Sequence, residues 1–237
     1  MKKIINVCIT SGGTREYIDD VRVLTNISSG KLGATIAETF ARKNALQRNF
    51  NYRIFYVCSK GSVLPFNGTK QTIVDNSILT YYIKDTKDLM QKMQELVPKA
   101  DIVIHSMAVS DFGFKPTNIK LRSNSAEEFI KSMQERIFKN PKILSHIKQW
   151  NPYTFLTSFK FEVARIHSDL IRIATESMKN ANGDLVVAND KKEIQLRNSH
   201  VAYIIDKNGD EIICKDKKDI AKKLVACIEE KLGFFNT

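Results

Sequence analysis

Two short runs of small and polar residues, Ser11-Gly12-Gly13-Thr14 and Ser28-Ser29-Gly30-Lys31, lie close together near the start of the chain. The first follows an apolar run, Ile4 to Ile9, with the character of a buried parallel strand. Ser11, Gly12 and Gly13 let the backbone turn tightly there and leave amides free to hold an anion. The second run opens a helix-like stretch, Leu32 to Arg42. Unpaired amides at a helix start, together with the positive end of its dipole, favour a phosphate or a carboxylate. Between the two runs, Arg22 and Asn26 supply a fixed cation and a donor/acceptor amide on a loop too polar to be core. Either run alone could be an ordinary turn, with Ser28 and Ser29 merely capping a helix. Their conjunction points to the handling of phosphate and carboxylate groups.

Two general nucleotide motifs are excluded. A P-loop needs a glycine five residues before Gly30 and Ser or Thr after Lys31, and those positions hold Thr25 and Leu32. A dinucleotide fingerprint needs Gly-x-Gly-x-x-Gly in the first strand-to-helix turn, whereas this turn has adjacent glycines and a long stretch before the helix. An NAD(P)-dependent oxidoreductase of similar element order is the main rival reading. It lacks that fingerprint and a Tyr-x-x-x-Lys pair, since the nearest lysine to Tyr81 or Tyr82 is Lys84.

The elements that must position these residues follow from periodicity. Strand-like runs at Ile4 to Ile9, Tyr52 to Cys58, Asp101 to Met107, Thr154 to Phe159 and Asp184 to Ala188 alternate with helical runs. The helical runs end at Lys43, lie near Thr86 to Val97, and span Pro141 to Trp150 and Ala164 to Asn180. This predicts a Rossmann-like α/β fold, a doubly wound and mostly parallel sheet. Asn208-Gly209 between Val201 to Asp206 and Glu211 to Lys215 predicts a C-terminal antiparallel hairpin, and Lys217 to Leu232 a closing helix. Residues 112–140 resist the scheme. They carry Lys115, Lys120 and Arg122 and a weak helical pattern around Glu127 to Ile137, and are expected to form a basic flap.

In such sheets ligands collect beyond the carboxyl ends of the strands. Ser11 to Thr14, Ala108 to Asp111, Lys160 to Glu162 and Asn189-Asp190 should therefore converge from separate segments. His105, at a strand end, is expected to be a packed residue rather than a base, and the four histidines share no metal-like spacing.

Composition sets wide bounds. With 237 residues and 43% hydrophobic content, residues 1–237 are expected to form one domain. No apolar run approaches a membrane span and no signal peptide is apparent, so a cytoplasmic protein without a membrane partner is expected. Cys8, Cys58, Cys214 and Cys227 form no Cys-x-x-Cys pair and suggest small core residues. The net charge of +11 is spread over helical stretches such as Lys84 to Lys99 and Lys215 to Lys231, interleaved with acids. It reads as solvated surface, and no nucleic-acid partner is expected.

The stretch Thr10-Ser-Gly-Gly-Thr-Arg-Glu-Tyr-Ile-Asp-Asp-Val-Arg-Val-Leu-Thr-Asn-Ile-Ser-Ser-Gly-Lys-Leu-Gly33 closely resembles the signature of the phosphopantothenate–cysteine ligase family. His105-Ser-Met-Ala-Val-Ser-Asp-Phe112, Lys139-Asn-Pro-Lys142, Trp150-Asn-Pro152, Ser158-Phe-Lys160 and Val187-Ala-Asn-Asp190 match further motifs in the family's order. With no decarboxylase segment before them, the chain looks like the free-standing bacterial form.

The resemblance implies a reaction in coenzyme A biosynthesis. The carboxylate of 4′-phosphopantothenate attacks the α-phosphate of CTP or ATP with Mg²⁺ present, pyrophosphate leaves, and the amine of L-cysteine attacks the acyl-nucleotide. It implies that Asn26 holds the carboxylate and the acyl-nucleotide, that Arg22 assists, and that Lys120 reaches the triphosphate, with Lys115 as a substitute. Asp111, Phe138, Lys139, Asn140, Pro141 and Phe159 match nucleotide contacts, joining Ser11, Gly12, Gly13 and Ser28. Ser29, Gly30, Lys31 and Ala108 are expected at the acid substrate with Arg22 and Asn26. The family is usually a homodimer, and no Mg²⁺ ligand can be named from the sequence. Members selective for CTP commonly carry two lysines four apart before the Ala-Asn-Asp strand, where this chain has Ser177 and Ala181, with Lys179 off register.

Overall fold

A computed structural model describes residues 2–46, 49–68, 77–115, 117 and 125–234. In chain order the elements are β1 (Lys3–Ser11), β2 (Arg15–Tyr17), β3 (Val23–Thr25), α1 (Lys31–Lys43), β4 (Phe50–Ser59), β5 (Ile78–Ile83), α2 (Thr86–Leu96), β6 (Ile102–His105) and β7 (Phe112–Phe114). There follow α3 (Ala126–Gln134), β8 (Ile137–Lys139), α4 (Ile143–Trp150), β9 (Phe155–Glu162), α5 (His167–Asn180), β10 (Leu185–Asp190), α6 (Lys191–Arg197), β11 (Ala202–Asp206), β12 (Glu211–Cys214) and α7 (Lys217–Lys231).

Eight strands form one sheet in the order β12-β11-β10-β9-β6-β1-β4-β5. The six from β5 to β10 are parallel, and β11 and β12 add antiparallel at one edge. From β1 the chain moves outward to β4 and β5, then returns to pair β6 on the other side of β1. The reversal opens a crevice beyond the carboxyl ends of β1 and β6, where a doubly wound sheet binds ligands. Strand alternation separates two cores. Ile5, Val7 and Ile9 face α1 and α7, while Cys8 faces the side covered by α2 and α4, and α5 packs on Val186 and Ala188. The four cysteines are free and buried. Among the described residues no helix is long and apolar enough to cross a membrane.

Several expectations are corrected in detail. Arg22 and Asn26 do not share one loop but flank β3, which pairs with β2 as a small antiparallel hairpin. The described part of 112–140 is ordered as β7, α3 and β8, with β7 and β8 paired, and Lys120 and Arg122 lie outside the described residues. The weak helical pattern ends at Gln134, so Ile137 begins a strand. The α1 N-cap is Gly30, left-handed at φ 75°, with no side-chain cap. Its conformation is one that serine would adopt only with strain. Strand β9 runs on through Lys160 to Glu162 instead of turning after Phe159.

Candidate functional site

The loops after β1 and β6 are bonded to each other along their length. Thr10 Oγ1 lies 2.9 Å from His105 Nδ1 and accepts from Met107 N at 3.2 Å, and Ser106 donates to Thr10 O at 2.5 Å. Ala108 N donates to Gly12 O at 2.9 Å, Thr14 N returns to Ala108 O at 3.2 Å, and Ser110 N reaches Thr14 Oγ1 at 3.0 Å. Burial holds the His105 imidazole down at about 4, so it is a neutral packing partner of Thr10, as its place at a strand end suggested.

Glycine is required where three segments touch. A Cβ on Gly13 would lie 2.8 Å from Asn26 O, and one on Gly33 would lie 2.4 Å from Ser11 Oγ. That closeness brings the Asn26 segment against the sheet edge. Asn26 Nδ2 donates to Val109 O at 3.2 Å, beside Ala108. Ser11 Oγ donates to Gly30 O at 2.9 Å and fixes the start of α1 above the same crevice.

A cavity of about 390 Å³ occupies the crevice and is lined by Ser11, Ser28, Ser29, Gly30, Lys31, Ala108 and Phe159 from the sequence-derived set. Ile27, Leu32, Gly33, Ser106, Met107, Phe161, Asn189, His200 and Lys217 complete the wall. Gly12 and Gly13 lie in the loop beneath it, and Asn26 lies at its rim through Val109. Lys217 and His200 were missed because they come from elements far along the chain. The available signal was a lysine as the first residue of α7, opposed to the helix dipole.

Arg22 is placed differently. It pairs with buried Asp19 at 3.5 Å, its guanidinium sits 5.1 Å from the Phe129 ring centroid, and it does not line the cavity. Asp111 and the Phe138–Pro141 segment form a neighbouring group. Asn140 N donates to Asp111 O at 2.8 Å and Asn140 Nδ2 to Ser110 O at 3.0 Å, while Phe138 and Lys139 on β8 are exposed. Next to this group, Ser177 and Ala181 line a second cavity of about 310 Å³ together with Lys142 and Lys160. A larger, open cleft of about 520 Å³ between α5, α6 and β12 lies away from the crevice. There Glu193 already accepts from Tyr203 and Arg197, so its carboxylate is answered within the chain. No group of three or more metal-binding side chains occurs among the described residues.

The profile of the DNA/pantothenate metabolism flavoprotein C-terminal domain matches residues 3–48 and 58–232. A relative from Thermococcus kodakarensis, coenzyme A biosynthesis bifunctional protein CoaBC, is 31% identical over 95% of this chain and 51% of its own length. The protein of that name from Methanocaldococcus jannaschii is 30% identical over 94% of this chain and 50% of its own. The chain thus spans about half the length of these curated relatives. Among solved structures, the DNA/pantothenate metabolism flavoprotein from Streptococcus pneumoniae has a TM-score of 0.77 at 30% identity, covering 96% of this chain and 99% of its own. A histidine-to-alanine mutant of Cab2 in complex with phosphopantothenate-cysteine shares the fold at a TM-score of 0.72 and 17% identity, covering 98% of this chain and 89% of its own.

Proposed function

Because this chain belongs to the family of the DNA/pantothenate metabolism flavoprotein C-terminal domain, we propose that it is a phosphopantothenate–cysteine ligase acting in coenzyme A biosynthesis. The observation that carries the reading is the convergence of Ser11 and the Ser28–Lys31 run around one cavity whose lining, among the described residues, holds no carboxylate, with Asn26 bonded to Val109 next to the lining residue Ala108. Such a wall suits a substrate that is itself anionic, and it suits a second anion beside the first. The oxidoreductase alternative draws no support from the family or the relatives.

In the first half-reaction a carboxylate oxygen of 4′-phosphopantothenate forms a bond to the α-phosphorus of the triphosphate, and the bond to pyrophosphate breaks. Asn26 holds the acyl group by its side-chain amide, with Ala108 and Ser29 to Lys31 along the substrate. Amides of Ser11 to Gly13, together with Ser28, face the phosphoryl oxygens, and Asp111, Phe138 to Pro141 and Phe159 border the nucleotide. Lys120, or Lys115 in its stead, neutralises the triphosphate from the flap. In the second half-reaction the amine of L-cysteine forms the amide bond and the nucleoside monophosphate leaves with its electron pair, the amine giving up a proton. Positioning and fixed charge supply the catalysis, and no covalent enzyme nucleophile is needed. Arg22 steadies the Asn26 hairpin through Asp19 and Phe129, a supporting role consistent with its contacts.

Mg²⁺ enters this reading as the counter-ion that accompanies the triphosphate. CTP is the proposed nucleotide, with ATP as the runner-up, and Lys142 and Lys160 stand in the cavity beside Ser177 and Ala181 as cations able to meet a base carbonyl. We also assign a homodimer in the cytoplasm. The exposed apolar side chains of Val21, Val23, Leu24 and Ile27 on one hairpin, with Phe112, Ile137 and Phe138 on the other, support a second copy covering this face. Sedimentation should give twice the chain mass, and a monomer at micromolar concentration would remove that assignment.

Omitting cysteine tests the mechanism. Mixing the protein with phosphopantothenate, CTP and Mg²⁺ should release one pyrophosphate per active site, with an acyl-cytidylate visible by mass spectrometry. Cysteine should then discharge it. A reaction in which no acyl-nucleotide accumulates and pyrophosphate appears only with cysteine would reject the two-step scheme.

A further inference from the structure

One buried acid has no part in the cavity wall and yet is bonded to it. Glu16 on β2 is 5% exposed, and among the described residues no cation pairs with it. Its Oε1 accepts from Thr86 N at 3.0 Å and from Thr86 Oγ1 at 2.6 Å, both on the first residue of α2. That helix already has a cap, since the Asp85 side chain accepts from Asp88 N. Burying a second carboxylate at the same helix start is unfavourable by itself, and capping does not require it.

The bonds run on from Thr86. Its Oγ1 lies 3.3 Å from Thr14 Oγ1, and Thr14 Oγ1 accepts from Ser110 N at 3.0 Å. Both threonines are fully buried. The two ends of this run set its direction, because a backbone amide only donates, a carboxylate only accepts, and each hydroxyl has one hydrogen. The Thr86 hydrogen goes to Glu16 across the shorter contact, so the Thr14 hydrogen goes to Thr86 Oγ1. Ser110 N belongs to the same peptide unit as Val109 O, which accepts from Asn26 Nδ2 at 3.2 Å. One continuous run therefore joins the Glu16 carboxylate, through Thr86, Thr14 and the 109–110 peptide, to the Asn26 carboxamide. Every hydrogen in it points toward Glu16. Bonds aligned in one sense polarise one another, and a charged acceptor at the end strengthens them. Asn26 is otherwise exposed, and its Oδ1 has no partner among the described residues, so this run alone fixes which end of the amide faces Val109.

We propose that Glu16 is a positioning residue for Asn26: its carboxylate orders the run so that Asn26 keeps one N–H on Val109 O and presents the rest of its carboxamide to the acyl group. The inference rests on the ligase reading of Asn26 and adds to it Glu16 and Thr86, neither of which lines the cavity. The competing account is local, with Glu16 merely pinning β2 to α2.

Thr86→Val and Thr86→Ser separate the two. Both keep the backbone amide that Glu16 accepts from, and only serine keeps the hydroxyl that continues the run. Thr86→Val and Glu16→Gln should each lower kcat for amide formation roughly 10-fold, the cost of a misaligned carboxamide. The KM values for triphosphate and cysteine should stay within about twofold, and Thr86→Ser should keep the wild-type kcat. In ¹⁵N spectra of the unliganded protein, the Asn26 side-chain amide signal, assigned by its loss in Asn26→Ala, should move in Thr86→Val and Glu16→Gln and stay in place in Thr86→Ser.

Equal kcat in the valine and serine variants, or an Asn26 signal unmoved in Thr86→Val and Glu16→Gln, would overturn the proposal. Should Thr86→Val fold poorly, Glu16→Gln decides, because its amide oxygen can still accept from both Thr86 donors while the charge is gone. If wild type shows no turnover dependent on triphosphate and cysteine, the ligase reading falls. The spectra then judge the run by themselves: a moved Asn26 signal supports it and an unmoved one overturns it.

Discussion

Asn26 is an exposed residue whose side-chain amide donates to Val109 O at 3.2 Å, while its backbone carbonyl sits where only glycine fits at position 13. A side chain held in that way loses little freedom when it engages a reacting carboxylate. Asn26→Asp places a negative charge beside the substrate carboxylate and removes the donor, so product formation should fall ~10²-fold or more. Normal amide formation in that variant would reject the role. The cavity lined by Ser177 and Ala181, proposed above to take the nucleotide base, yields a second residue-level prediction. Ala181→Lys restores a cation missing from this wall, and kcat/KM for CTP over ATP should rise in the variant. A strongly CTP-exclusive wild type with no further gain would mean that Lys142, Lys160 or backbone near Asn140 already reads the base. Asn26 and the two glycine-bearing runs were legible in the sequence because they lie within one contiguous stretch. Lys217 and His200 were not, since only the packing of α7 on α1 and the position of the segment before β11 bring them to it.

The zipped loops after β1 and β6 explain at the level of elements why a site built from turns can be stiff. Ala108 N to Gly12 O, Thr14 N to Ala108 O and Ser110 N to Thr14 Oγ1 tie the two loops together, so the small residues are demanded by closeness as well as by conformation. Gly33→Ala tests this. Its Cβ would press on Ser11 Oγ and Cβ at 2.4 and 2.7 Å, so the variant should lose about 1–3 kcal/mol of stability and much of its activity. An unaltered urea midpoint would show that α1 can shift away at little cost. The flap gives an opposite pattern. Lys120→Gln should slow pyrophosphate release while thermal melting hardly moves, and the same loss in Lys115→Gln alone would reassign the flap lysine.

Long amphipathic helices and buried parallel strands were readable from periodicity. The short elements were not: β2, β3, β7 and β8 span three residues each, too few to show a period, and exist because the hairpins pair locally. Strand β5 went unnamed because Ile78 to Ile83 shows no clean alternation, and α6 went unnamed because its seven residues are too few to show a helical period and its N-cap Asp190 also ends β10.

Stability of the whole molecule should depend on pH through His105. Its folded value of about 4 lies below the ordinary value near 6.5, so the unfolded chain binds the extra proton first as pH falls. That contribution is intact above about pH 6.5 and is lost progressively toward pH 4, costing about 1–2 kcal/mol by pH 5. Urea midpoints at pH 7 and pH 5 should differ more in wild type than in His105→Gln. Equal differences would show that other groups set the acid limb.

Charge at this scale is also informative. The chain is strongly basic at +11, and among the described residues the crevice cavity is lined by Lys31 and Lys217 and by no carboxylate, which suits an anionic small-molecule substrate. The central claim is therefore a three-substrate ligation, and one assay addresses it directly. Purified protein is incubated with phosphopantothenate, cysteine and Mg²⁺, with CTP and ATP in separate reactions, and pyrophosphate and phosphopantothenoylcysteine are both quantified. The account predicts that the two products appear in equal amounts, that both require all three substrates, and that CTP supports the faster rate. Pyrophosphate released without any amide product, or no release with either nucleotide, would contradict it.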